Sequence, residues 1–202
     1  SYAGATTTGC DGVFDAEGQP ASAADICWIE TIGAGSDGDL VVADGGLNRL
    51  LRIDGTTGLI SHIAGDGTDG FSGDGGPATT AAFTYNGRIR RIDAATGIIT
   101  TYAGDGSYGF AGDGGPATNA GFLSINDLAL DSAGNLFVLD QLRVRRIDAQ
   151  TGIITTYAGD GTQGVGGDGG PAGAAQFLNP TGITANAAGD IFVADPDAGT
   201  IR

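Results

Sequence analysis

The sequence predicts an all-β fold, a β-propeller of four-stranded antiparallel blades, with about four blade units in the chain and one of them lacking two strands. Three observations carry this. The chain repeats itself head to tail: residues 90–106 read RRIDAATGIITTYAGDG and residues 145–161 read RRIDAQTGIITTYAGDG, 55 positions apart and different only at Ala95 and Gln150. A looser copy, LRIDGTTGLISHIAGDG, fills 51–67, and the opening SYAG matches the end of the same unit. Within a unit, short runs of branched and aromatic residues are separated by turn residues, a pattern of strands rather than helices. Finally, 39 of the 202 residues are glycine, and each would weaken a helix by about 1 kcal/mol. A small sheet repeated along a chain buries its faces on its neighbours, which is how propellers limit exposed strand edges.

The strands are clearest in the third unit: NDLALD (126–131), NLFVLD (135–140), RVRRID (143–148) and GIITTYAG (152–159), separated by SAG, QL and AQT. They read as an antiparallel meander. The units run approximately 1–54, 55–93, 94–148 and 149–202, forming a single propeller domain or segment over 1–202. The second is short, because Asp54 to Asp93 spans 39 positions where Asp93 to Asp148 spans 55. The loss falls between Phe83 and Arg88, where FTYNGRIRRID has nothing to match the first two strands of a blade. Two strands and their turn take about 16 residues. Either the blade is truly short or residues are absent from the sequence at that point. Absence is the favoured expectation, since half a blade leaves an unpaired edge. The chain begins in the last strand of one unit and stops in the third strand of another, so a segment of a longer polypeptide is expected.

The stretches GDLVVADGGLNRLLRID (38–54), GNLFVLDQLRVRRID (134–148) and GDIFVADPDAGTIR (189–202) resemble NHL repeats. The similarity extends to the GDGGPA connector that many bacterial proteins of this family carry between blades, and it covers nearly the whole chain. It implies a β-propeller, commonly six-bladed. The histidine of the tripeptide that names the family is missing, since Asn48-Arg49-Leu50 stands at the corresponding place.

Charge narrows the partners. Twenty-four acids against nine arginines and no lysine give a net charge of −15, a surface that repels phosphate backbones and disfavours nucleic acid. No run approaches the roughly 18 apolar residues of a membrane helix. Cys10 and Cys27 are the only cysteines and form no CxxC or CxxCH pair, which excludes a zinc knuckle and a c-type haem. A disulfide between them would suit an extracellular, periplasmic or cell-surface setting, and two unpaired buried thiols are the alternative.

Gly65, Gly67 and Gly70 fit the dinucleotide fingerprint, as do Gly104, Gly106, Gly109 and Gly159, Gly161, Gly164. The fingerprint needs a helix whose amide end receives the pyrophosphate, and each copy runs instead into the helix-breaking GDGGPA. Each connector also offers two carboxylates eight apart: Asp66 with Asp74, Asp105 with Asp113, and Asp160 with Asp168. These are the calcium candidates, because calcium takes oxygen ligands and glycine-rich loops supply carbonyls. The competing role is turn chemistry, for which aspartate and glycine are equally suited. No other cofactor is implied. Phe71, Phe110 and Val165 are expected to plug the connectors onto the blades. His62, the only histidine, stands mid-strand where the other units have Thr101 and Thr156, which does not match the metal-holding channel of enzymatic propellers such as amidating lyases and lactonases. The clusters Arg88, Arg90, Arg91 and Arg143, Arg145, Arg146, flanked by Asp93 and Asp148, are expected to make cross-strand or inter-blade pairs with aspartates. Trp28 and Tyr85 read as blade-packing aromatics, and Asn126 and Asn179 as channel-facing positions.

No catalytic constellation emerges. The expectation is a non-enzymatic, secreted, acidic scaffold that presents loops to a protein, a glycan or copies of itself, with unpaired edges inviting strand addition. The alternative is a metal-dependent hydrolase or lyase of propeller type.

Overall fold

The computed structural model describes residues 17–84 and 87–202. Its strands are β1 (Ile29–Ala34), β2 (Leu40–Asp44), β3 (Arg49–Ile53), β4 (Ile60–Ala64), β5 (Ile89–Ile92), β6 (Ile99–Ala103), β7 (Ile125–Leu130), β8 (Leu136–Asp140), β9 (Arg143–Ile147), β10 (Ile154–Ala158), β11 (Gly182–Ala185), β12 (Ile191–Asp195) and β13 (Thr200–Ile201). They form antiparallel meanders in the orders β1-β2-β3-β4, β5-β6, β7-β8-β9-β10 and β11-β12-β13. The fold is all-β and its sheets are propeller-type blades. In the third unit, the four expected strands each appear within two residues of the predicted bounds. The short unit is short in the structure as well, since residues 89–103 supply a two-stranded sheet. Tyr85, expected to pack between blades, lies outside the described residues, as does Cys10.

The described residues fall into two compact units, the first within 1–85 and 90–100, the second within 86–89 and 101–202. The core of the first gathers Ala21, Ala24, Val42, Leu51, Ile53 and Ile60. The second shows why blades stack. All five residues of β8 are buried, and because successive strand residues point to opposite faces, they feed two cores. Leu136 and Val138 join Ile89, Ala103, Phe122 and Ile154, while Phe137 and Leu139 join Ala175, Phe177, Ile183 and Val193. A strand buried on both faces reads as the continuous apolar run LFVL rather than as alternation.

Turns between third and fourth strands follow one recipe. Asp54, Asp93 and Asp148 each accept hydrogen bonds through Oδ1 from the amides two and three residues on and from the hydroxyl of Thr57, Thr96 or Thr151. The glycine that follows sits at φ +68° in all three, a conformation that a side chain would strain. Trp28 corrects an expectation: it is 69% exposed and packs no blade core.

Candidate functional site

Each connector begins where a fourth strand ends. Gly65, Gly104 and Gly159 have φ near +90°, and a Cβ on any of them would overlap the main-chain oxygen of Asn48, Gly87 or Leu142. The glycine spacing that mimics a nucleotide fingerprint therefore comes from close backbone approach. The connectors hold only three-residue 3-10 turns, at Ala78–Thr80, Ala117–Asn119 and Ala172–Ala174.

The two carboxylates of each connector have different duties. Asp66, Asp105 and Asp160 accept hydrogen bonds from the amide and hydroxyl of Thr68, Ser107 and Thr162, the hydroxyl oxygens lying 2.6 Å away. Those hydroxyl bonds, with the amide bonds beside them, hold all three carboxyls below the usual carboxylate range. Asp74, Asp113 and Asp168 instead receive an arginine from a third strand. Arg90 reaches Asp74 Oδ1 at 2.6 Å, Arg145 reaches Asp113 Oδ1 at 2.7 Å, and Arg202 reaches Asp168 Oδ1 at 2.5 Å.

The same guanidinium sews the connector to itself through two carbonyls. Arg90 donates to Ala82 and Ser72, Arg145 to Gly121 and Ala111, and Arg202 to Gln176 and Gly166. Aromatic faces close the arrangement, with Arg90 5.0 Å from the Phe71 ring centroid and Arg145 4.9 Å from that of Phe110. Phe83, Phe122 and Phe177 lie at 5.6, 5.0 and 5.6 Å from the same three arginines. Phe71 and Phe110 are thus anchors through cation–π contact. Val165, at 63% exposure, is not an anchor.

The remaining arginines go elsewhere. Arg88 and Arg143 donate to the carbonyls of Asp105 and Asp160. Arg91 and Arg146 stand beside the turn carboxylates Asp93 and Asp148 two residues on, at 3.9 and 3.0 Å. His62 lies between the carbonyl oxygens of Ala64 and Gly65, 3.0 and 2.5 Å from Nε2, so that nitrogen donates. Asn126 donates to the Pro180 carbonyl and Asn179 to the Asp197 carboxylate. Among the described residues, no group of three histidine, cysteine or acidic side chains is placed to hold a metal ion.

One set of functional-looking carboxylates escapes sequence reasoning. Asp44, Asp140 and Asp195, each the last residue of a second strand, are buried and accept two main-chain amides apiece, from Cys27 and Trp28, from Leu123 and Ser124, and from Leu178 and Asn179. They tie down the entry to each first strand. Arg49 pairs with Asp44 at 3.2 Å, and Arg145 with Asp140 at 3.5 Å. Burial pushes the Asp140 carboxyl above its ordinary value against the pull of the Ser124 and Leu123 amides and Arg145. The signal was present as an aspartate ending LVVAD, LFVLD and IFVAD.

No protein-family model matches the chain, and no curated protein matches it. Solved structures do. A protein of unknown function from Bacteroides thetaiotaomicron aligns over 84% of this chain and 46% of its own, at 19% identity and TM-score 0.64. An auxiliary nutrient binding protein from Bacteroides ovatus aligns over 88% of this chain and 48% of its own, at 16% identity and TM-score 0.55. The extracellular domain of a one-component system from B. thetaiotaomicron aligns over 86% of this chain and 21% of its own, at 17% identity and TM-score 0.50. The chain spans less than half the length of these proteins, and at such identities the likeness is one of fold: a β-propeller architecture.

Proposed function

We propose that the chain is a non-enzymatic, secreted propeller scaffold of NHL type whose connectors present variable side chains to a protein or glycan. One observation carries this reading: a constant frame around a changing residue. In all three connectors the Arg–Asp–aromatic lock recurs, and a parallel bridge fixes the backbone at one position, Asp69 to Phe83, Tyr108 to Phe122 and Gln163 to Phe177. That position carries three different, exposed side chains, Tyr108 at 83%. Rigid frames with variable tips are how binding surfaces are built on repeat scaffolds.

The acidic, lysine-free surface and the two cysteines support an extracellular setting for it. Thiol titration of the denatured chain should find no free thiol before reduction and two after; two beforehand would contradict the secreted reading.

The deciding experiment is biolayer interferometry of the chain against a panel of polysaccharides and extracellular proteins. The triple variant D69A/Y108A/Q163A should lose binding while keeping its melting temperature. Turnover of ester, lactone or phosphate substrates that depends on an added divalent metal would overturn the proposal in favour of a hydrolase or lyase.

A further inference from the structure

One hairpin of the third blade is built against its own backbone preference. Gln141, in the two-residue turn between β8 and β9, has φ +53°, a left-handed conformation that glycine takes freely and a longer side chain resists. Among the described residues the other non-glycine with positive φ is Asn48, at +46°, and asparagine tolerates that region. The main chain of Gln141 is secured, since its amide donates to the Ser124 carbonyl at 2.9 Å. Its side chain is exposed, and among the described residues nothing bonds to it. Strain kept by a residue whose side chain serves no contact inside the fold points to a contact outside it.

Two residues on, Arg143 is fixed in place with donors to spare. Its Nη2 donates to the Asp160 carbonyl at 2.8 Å, and its Cζ lies 4.2 Å from the Phe110 ring centroid. A Cβ on Gly161 would overlap the guanidinium, so glycine there lets the group lie against the backbone. The residue is half-buried, and among the described residues Nε and Nη1 have no hydrogen-bond partner. Arg49, at the same place in the first unit, turns instead to Asp44 at 3.2 Å. Backbone bonds bring an aromatic side chain to the same end of the blade. Tyr108, 83% exposed, bridges Phe122, which stands two residues before Ser124. The Ser124 hydroxyl donates to Asn126 Oδ1 at 2.8 Å, both residues being exposed. All these groups lie on a complete four-stranded blade and on the connectors before and after it.

We propose that this end of the third blade binds a glycan through an isolated uronic acid unit, with Arg143 taking the carboxylate, Gln141 a neighbouring hydroxyl and Tyr108 the face of a sugar ring. The site extends the connector surface proposed above and rests on that reading. Nη2 spends one of its two hydrogens on Asp160, which leaves Arg143 a complete pair of parallel N–H groups, the geometry that a carboxylate takes bidentately. An exposed ring beside planar donors suits a sugar, whose C–H face lies on the ring while its polar groups meet the donors. The net charge of −15 repels a polyanion, so the acid unit stands alone among neutral sugars rather than within a polyuronate.

The probes are a xylo-oligosaccharide carrying one glucuronic acid branch and the same oligosaccharide with that carboxyl reduced to an alcohol, each titrated by calorimetry against the full 202-residue chain. The acid form should saturate below about 1 mM, and the reduced form should bind about tenfold or more weakly. That change leaves the protein untouched, so a folding defect cannot mimic it. Arg143→Lys keeps the charge but loses the fork, and should weaken the acid form more than the reduced one. Gln141→Gly removes the side chain and relieves the backbone, so affinity should fall while the melting temperature holds or rises; a lower melting temperature with unchanged affinity would overturn the role of Gln141. Arg91→Ala should leave binding unchanged. Equal binding of the two probes, or no saturation by the acid form, would overturn the uronate assignment. Capture of a protein or a neutral polysaccharide that is lost in D69A/Y108A/Q163A but kept in Arg143→Lys would overturn it too, leaving the connector-surface reading standing, whereas silence of the whole panel would sink both.

Discussion

Arg145 shows how much one side chain decides. It is fully buried, faces Asp113 and Asp140, donates to two carbonyls and lies between Phe110 and Phe122. A buried guanidinium is tolerated only because each of its donors has a partner. Removing it strands two carboxylates, so Arg145→Ala should destabilise the chain by about 3 kcal/mol or more, read from the urea midpoint at constant slope. Arg91 is mostly exposed and 3.9 Å from Asp93, and Arg91→Ala should stay within about 0.5 kcal/mol. The sequence writes these two arginines next to their neighbours as near-identical RIRRID and RVRRID clusters. Alternation alone says that adjacent residues face opposite ways. Which face meets a connector is a matter of how the chain returns.

The connector combines turn and clamp. Its glycines differ in what they do, and substitution separates them. Gly159→Ala places a methyl group against the Leu142 carbonyl in a left-handed conformation, and about 3 kcal/mol of destabilisation is expected from strain and overlap together. Gly189 has nearly the same φ, +91°, and nothing within 4 Å, so Gly189→Ala should cost only about 1 kcal/mol. Paired thermal melts check both, and equal losses would contradict the close-approach argument. Clamping also revises the picture of open edges. The start of β10 is covered by Gly114, Gly115 and Ala117, and the Thr156 amide by Asp113, which blunts the strand against edge-to-edge pairing. Strand positions were legible because each is a short apolar run between turns. The covering of β10 was not, because it joins residues about forty apart.

At the scale of the whole molecule, carboxylates set the response to acid. Asp54 and Asp148 are held below the usual range by the amide and then the hydroxyl of the threonine three residues on, and Asp93, like the connector's Asp66, Asp105 and Asp160, by a threonine or serine hydroxyl and nearby amides. Burial pushes Asp113 upward, yet its bonds to Thr156 and Arg145 outweigh that and leave it lowered as well. A carboxyl lowered by folding contributes stability above its unfolded value and loses it as pH falls through its folded value. Melting temperature should therefore hold from pH 7 down to about 4 and fall below that. Asp140, raised by burial, acts in the opposite sense, and a flat profile to pH 2.5 would contradict the set as a whole. Because all six connector carboxylates already bind hydroxyls, amides or arginine, millimolar calcium should shift the melting temperature by no more than about 1 °C relative to EDTA. A rise of several degrees would identify them as ligands.

The sequence by itself determined the repeat, the strand positions and the turns, since a strand needs only its own run of branched residues and an Asp-x-x-Thr-Gly turn closes within four residues. It also narrowed the glycine-rich stretches to connectors. Two carboxylates eight positions apart look alike in a string of letters, and only the tertiary structure separated them. Asp66 meets a threonine two residues away, whereas Asp74, Asp113 and Asp168 meet arginines 16, 32 and 34 residues away. The first contact is built into local backbone geometry; the second exists only once blades have stacked in register and carried a distant strand back to the connector.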